Sequence, residues 1–505
     1  MPEYLYALLQ ILLLSAALFA FADRPVAAII GRGNLTRRRN LWLGLTLAAF
    51  LAYSFWVYAF IAIPLLIYAN RREINPSALF FFILFALPSG AIQLTGLGIV
   101  SSLFELSHAR MLALVILFPA FFSLIRESDT LPFGRAGSDK ALTAYLLLTV
   151  TLYLRETTLT DALRQTFYLL MDVFLPFFVI SRSLKNLQTF KDALLSLVIA
   201  IMVLALIAVV ESFRDWLLYK TVISGLAMEG GMTRHLGRDG MLRVSASVGH
   251  PIALGYLMVV GMGFYLFLQE SIQKKIIRRL GMALLAAGLI APLSRGPWVG
   301  ACALFIVFIV TGRNPVQRLM GWALAGMLAL LLISMLPRGE RVINLLPYIG
   351  TTEKENIDYR EKLITNSMIV IERHPWFGSI DFMETPEMVA LYEGRIIDVV
   401  NTYIRIALEK GFVGLGLFVG FFALVVIGVK RAMRSITDRE SEEYLLGRVL
   451  LATLMAILVT IFTVSSITII PLVYWSVAGL GVAYAQMVRK LSDSNTLMED
   501  AQKNR

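Results

Sequence analysis

The run 412-FVGLGLFVGFFALVVIGV-429 carries no charged residue. At 1.5 Å of rise per residue, a helix of that length extends about 27 Å, close to the roughly 30 Å hydrocarbon core of a bilayer. It stops at Lys430-Arg431, a basic pair of the kind that stays on the cytoplasmic side. Thirteen further apolar runs read the same way: Tyr4–Ala22, Leu41–Ala69, Ser77–Val100, Met111–Ile125, Ala141–Leu154, Phe167–Ile180, Ala193–Val210, Ile252–Leu268, Gly281–Leu293, Trp298–Val310, Met320–Leu336, Leu445–Phe462 and Ile467–Met487. With 58% hydrophobic and 16% charged residues and a mean hydropathy of +0.72, the chain of 505 residues is too apolar for a water-soluble protein. The expected fold is therefore all-α, a polytopic membrane protein with about 12–14 transmembrane helices.

A net charge of +11 raises the question of nucleic acid, but the basic residues fall in short clusters between apolar runs, as at Thr36–Asn40 and Lys274–Arg279. That distribution is the positive-inside pattern, and no nucleic-acid partner is expected. The single cysteine, Cys302, excludes an intrachain disulfide framework. Tyr4–Ala22 lacks a basic leader and a small-residue cleavage site, and reads as a retained span.

Placing Arg71-Arg72, Lys185 with Lys191, Lys274–Arg279, Arg313 with Arg318, and Lys430-Arg431 on the cytoplasmic side gives a consistent alternation from residue 71 onward. The amino-terminal end departs from it, because Arg37–Arg39 and Arg71-Arg72 flank one run too short to cross twice. The resulting division is 1–76, amino-terminal spans of uncertain topology; 77–336, a transmembrane core; 337–397, a large outer loop capping the site; 398–488, further core; and 489–505, a polar tail read as cytoplasmic and disordered. Within the loop, Tyr359–Ile371 has helical apolar spacing and no glycine or proline. Long loops in an economical membrane protein are where chemistry concentrates.

Four motifs carry candidate chemistry. "APLSRGPWVGA" (291–301) interrupts apolar sequence and holds Arg295 at a helix end, as an interfacial anchor or as a functional guanidinium. "DYREKLITNSMIVIERHPWFGSI" (358–380) puts Arg360 on the loop helix and ends at a His374–Gly378 turn. "LRVSASVGHPIALGY" (242–256) sets Arg243 ahead of a span that opens at His250-Pro251. Immediately before the quoted run, Asp398, Asn401, Arg405 and Glu409 recur at three- and four-residue steps, one polar helical face that Gly411 then ends. That face turns toward the pocket or serves to satisfy loop backbone groups. Asp172, inside a span, is expected to pair with an arginine rather than to catalyse.

In their order and on one membrane side, these motifs resemble the bacterial O-antigen ligase and O-antigen polymerase superfamily. The resemblance rests on "SRG" at a span end, an arginine-led helix closing in "HPWFG", and Asn401 followed after nine residues by Gly411-Phe412-Val413-Gly414, over roughly Arg243 to Phe422. It implies transfer of a glycan from undecaprenyl pyrophosphate to a sugar hydroxyl at the periplasmic face of the bacterial inner membrane. Arg295 and Arg360 would grip the pyrophosphate, since a planar guanidinium binds phosphate oxygens in a bidentate way. Arg243, Asn401 and Arg405 would contribute to substrate binding. The general base would come from His250, Glu393, Asp398 or His374, in that order of preference.

Where the ligases carry histidine, this chain has Val400, which favours polymerisation of exopolysaccharide or O-antigen repeats over ligation to lipid A core. A flippase of lipid-linked oligosaccharide and an assembly scaffold are the rivals from other classes. No metal and no cofactor are expected; the implied partners are the lipid-linked glycan, membrane lipid, a chain-length regulator and other polysaccharide assembly proteins.

Overall fold

The structure is a computed structural model that describes residues 2–96, 102–228, 236–238, 240–334, 354–391 and 398–503. It is an all-α polytopic membrane protein. Among the described residues, eight helices are long and apolar enough to cross a bilayer: Glu3–Asp23, His108–Arg126, Leu159–Ser183, Leu187–Arg214, Pro251–Ser271, Thr402–Ser435, Glu442–Thr463 and Ile470–Asp493. Gly137–Glu156, Lys275–Ile290, Arg295–Val310 and Pro315–Ser334 are further helices packed into the same bundle.

At the centre stands Pro251–Leu268, buried along nearly its whole length between Leu187–Arg214, Lys275–Ile290, Arg295–Val310 and Glu442–Thr463. Between helices in lipid, association comes from close packing rather than from the hydrophobic effect, and small residues allow that closeness. A Cβ on Gly255 would sit 2.9 Å from the Pro297 ring, and one on Gly261 2.8 Å from Ile201.

Two runs read as spans fold otherwise. Leu41–Ala69 breaks at Ala52–Ser54 into the helices Arg32–Leu51 and Phe55–Arg71, the second capped by Ser54 Oγ accepting from Val57 N at 3.3 Å. The chain goes in and returns, so both basic flanks share one end: Arg37 donates to the Arg72 carbonyl at 2.8 Å, and buried Arg38 pairs with Glu73 at 2.8 Å and with Asp192. This removes the conflict in the amino-terminal basic clusters.

In Ser77–Val100 the helix Pro76–Ile83 is followed by an antiparallel hairpin of Ala91–Thr95 with Ser102–Ser107. Residues 97–100 lie outside the described residues. Pro88 cannot donate a backbone hydrogen bond, and irregular backbone in a membrane protein persists only where protein buries and satisfies it. Here Ser247 Oγ donates to the Phe85 carbonyl at 2.8 Å and Ser89 N to the Ser247 carbonyl at 2.9 Å.

Of the tail expected to be disordered, 489–505, residues 489–503 instead continue the last helix, which runs Ile470–Lys503. Beyond Gly481 it contains no glycine or proline to stop it.

The remaining basic clusters gather at the same end as Arg38, where Lys185 pairs with Glu127 at 2.5 Å, Lys191 with Glu442 at 2.7 Å, Lys490 with Asp129 at 2.7 Å, and Arg313 with Glu440. The opposite end carries the turn at 291–295, the long loop and the segment 464–469. Asp172 pairs with Arg110 at 2.9 Å.

Candidate functional site

At the loop end the helix Thr402–Ser435 breaks at Gly411, whose backbone (φ 63°, ψ −169°) is far from helical. The break leaves helical donors and an acceptor without intrahelical partners. The 374–379 turn supplies them: Phe412 N donates to the Pro375 carbonyl at 2.7 Å, Val413 N to the Trp376 carbonyl at 3.1 Å, and Ser379 N to the Leu408 carbonyl at 2.8 Å. Gly378 N donates to the His374 carbonyl at 2.9 Å and closes the turn. Both glycines have positive φ, and a Cβ on either would run into the other strand's backbone. The HPWFG turn and the Gly-x-x-Gly segment are thus two halves of one joint. Gly414, the second glycine, leaves room for the Lys410 side chain.

Ahead of the joint in the chain, the helix starts at Asn401, whose Oδ1 accepts from Tyr403 N at 2.9 Å and Ile404 N at 3.2 Å. That is a helix N-cap. Asp398 therefore precedes the helix instead of sharing its face. Its carboxylate accepts from Ser465 Oγ, and its backbone N–H and carbonyl meet the Tyr359 hydroxyl at 3.1 and 3.3 Å. Thr402 Oγ1 donates to the Val464 carbonyl at 3.0 Å. The loop helix Lys354–Arg373, the 398–402 segment and the 464–466 segment meet at Asp398.

Arg405 and Glu409 do share a face, but they face each other at 2.8 Å, and Lys410 binds the other Glu409 oxygen at 2.7 Å. One carboxylate thus holds two cations, with Lys410 buried beside the Tyr145 ring. Glu409→Ala is expected to destabilise the protein by about 3 kcal/mol, the lower end of the cost of breaking a buried pair because Arg405 is partly solvated. Thermal unfolding of the purified protein checks this, and Lys410→Met added to Glu409→Ala should recover part of the loss.

The second cluster surrounds the turn between Lys275–Ile290 and Arg295–Val310. The turn's carbonyls are taken by arginines: Arg243 Nε donates to Pro292 O at 3.3 Å, and Arg238 to Leu293 O at 2.6 Å. Arg243 also donates to Ser294 Oγ at 3.0 Å. Arg295 follows as the first residue of the next helix, half-buried. Gly296 packs on Thr463 and Val464, where a Cβ would lie 2.7 and 2.8 Å from their side chains. Because Ser465 holds Asp398, the segment 463–466 joins the two clusters. Arg360 lies exposed on the loop helix beside Tyr359. Glu393 lies outside the described residues.

His250 caps the Pro251 helix, its Nδ1 accepting from Ile252 N at 3.1 Å. That bond leaves the proton on Nε2, so the imidazole presents a donor. Burial, aided by the Arg243 charge, lowers its pKa from 6.5 to about 4. Between those values the unfolded chain binds a proton that the folded chain does not, so this contribution to stability is complete above pH 6.5 and is lost as pH falls toward 4. Asn caps as well as any residue; His250→Asn is expected to retain the melting temperature at pH 7 and flatten its decline between pH 6.5 and 4.5.

Several residues of the site went unread in the sequence: Arg238, Lys410, Tyr359, the 463–466 segment, and Glu211, whose buried carboxylate accepts from Leu218 N at 2.9 Å and Ala246 N at 3.0 Å and so holds the chain before His250. The polar interruption Thr463-Val464-Ser465-Ser466 between two apolar runs was the available signal for that segment.

Residues 280–419 match the O-antigen ligase family. No curated protein matches the chain. The O-antigen ligase match takes in Arg295, Arg360, the HPWFG turn and the Asn401–Gly414 stretch, so both halves of the joint belong to it. Arg243, His250 and the 463–466 segment lie outside the matched residues, and the fold brings them to it.

Proposed function

We propose that this protein moves a glycan from a lipid diphosphate to a sugar hydroxyl at the loop end, facing the periplasm, and that it polymerises exopolysaccharide or O-antigen repeats. In this reaction the bond between the donor sugar's anomeric carbon and the diphosphate oxygen breaks, and its electron pair leaves with the diphosphate. The acceptor oxygen bonds to that carbon and gives its proton to a base. Undecaprenyl diphosphate is already a good leaving group, so stabilising its charge matters more than protonating it.

Arg295 and Arg360 are assigned to that charge, and Arg243 to holding the turn that presents Arg295. Asp398 replaces His250 as the preferred proton acceptor, because a His250 engaged through Nδ1 offers a donor, while Asp398 offers a carboxylate where three elements meet. Asn401 is a helix cap; Arg405, partly exposed beside Glu409, is assigned to the glycan or diphosphate. The observation that carries the proposal is the O-antigen ligase match over the segment that contains both arginines and the joint.

Ligation to a lipid A core is the second reading, favoured by the same match; Val400 in the place of the ligases' histidine weighs against it. Purified protein in liposomes, supplied with a lipid-linked repeat unit with and without a core acceptor, tests both. A ladder of longer lipid-linked glycan supports polymerisation and transfer to the core supports ligation. Absence of any transfer product returns the chain to the flippase or scaffold class.

A further inference from the structure

The loop helix has three kinds of flank. Leu363, Ser367 and Val370 face inward and are buried. Glu361 and Thr365 lie on the solvent side. Between them, at four-residue steps, run Arg360, Ile364 and Met368, the two apolar ones 50% and 46% exposed. The helix then ends in the joint, where Trp376, Phe377 and Phe412 are also exposed, Trp376 by 67%. Ile369, about 140° round the helix from Ile364, is a separate exposed residue and no part of this flank.

The depth of the patch follows from the span that it adjoins. Lys430-Arg431 mark one boundary of the hydrocarbon layer. Counting back along the helix, Phe412 stands about 27 Å away, at the other boundary of a core of roughly 30 Å. The backbone bonds of Phe412 and Val413 to Pro375 and Trp376 hold the turn at that level. Exposed Trp and Phe at this depth are what a membrane–water interface stabilises. The patch continues the lipid-facing surface of a membrane span, which favours lipid over a protein partner.

We infer that the loop is seated on the bilayer, with Trp376, Phe377, Phe412, Met368 and Ile364 packed against the lipid of the leaflet at the loop end. Arg360, first residue of the same stripe, is then held at headgroup level, where the diphosphate of a lipid-linked substrate lies; that consequence rests on the proposed chemistry, and the seating does not.

Site-directed spin labelling tests it in the full-length protein. With Cys302→Ser as background, single cysteines are introduced as Ile364→Cys, Met368→Cys and Trp376→Cys, each nitroxide-labelled in liposomes and read for collisions with oxygen and with a water-soluble nickel chelate. Val419→Cys, exposed in the span, and Thr365→Cys, on the solvent flank, are the lipid and water references. The three test positions are expected to show an oxygen-to-nickel ratio well above that at Thr365 and approaching that at Val419. Ratios equal to the Thr365 reference would place the flank in water and overturn the seating. Protection from both reagents at all three positions would mean that protein covers the flank, and would overturn it equally.

Discussion

Alanine at position 295 or at position 360 is expected to abolish long-chain polysaccharide while leaving the protein at its normal level in the membrane. The expectation follows from where charge develops as the diphosphate departs. In a poorly hydrated site, removing one fixed donor to a developing anion costs about 3–4 kcal/mol, a 10²- to 10³-fold loss of rate. Arg360 is exposed, so its removal leaves packing almost untouched. Arg295 opens a helix that Gly296 holds against Thr463 and Val464. Lysine at either position keeps the charge but loses the planar fork, and should give shortened polymer rather than none. Polysaccharide length on gels, set beside immunoblots of the membrane fraction, checks both effects; normal polymer from either alanine variant would remove that arginine from the reaction.

Gly411→Ala is expected to undo the joint between the loop and the membrane span. A backbone at φ 63°, ψ −169° belongs to a region that only glycine occupies readily, at a cost of about 1–3 kcal/mol for other residues. The added methyl would also strike the Trp376 carbonyl and the Phe377 nitrogen, an overpacking worth about 1–3 kcal/mol. Backbone atoms have little freedom to yield, so the turn is expected to detach and take Phe412, Val413 and Ser379 out of their hydrogen bonds. Gly378→Ala, facing Leu408 and Glu409 across the same contact, should behave alike. Gly416→Ala in the same helix is the control, because nothing stands within 4 Å of a Cβ there. Lower melting temperature and faster proteolysis between residues 354 and 398 are the expected readouts for Gly411→Ala and Gly378→Ala. A Gly411→Ala protein as stable and protease-resistant as the parent would show that the loop is held by something else.

Much of this was legible along the chain. Apolar runs and basic clusters identify a multi-pass membrane protein and separate its two ends, because both signals are local and set by the thickness and charge preference of a bilayer. The break at Gly411 was legible too, since a glycine ahead of a fresh apolar run marks a helix end. The path inside the membrane was not. Leu41–Ala69 turns back on itself and the buried helix within Ser77–Val100 stops at Ile83 ahead of a hairpin, yet both read as ordinary spans, because hydropathy reports burial and says nothing of direction. The evenly stepped series from Asp398 to Glu409 read as one helical face, and the cap at Asn401 divides it.

From residue order alone came the class of protein, the glycines that the joint requires and the family resemblance, for each of these depends on neighbours within a few positions. Only the folded chain decided that Asp398 is oriented by Ser465, that Arg238 and Arg243 hold the turn before Arg295, and that Glu409 binds Lys410 as well as Arg405. These are polar groups withdrawn from water, and each must find a partner wherever packing brings one within reach. In most of these pairs the partners stand tens of residues apart in the chain, so helix packing chose them.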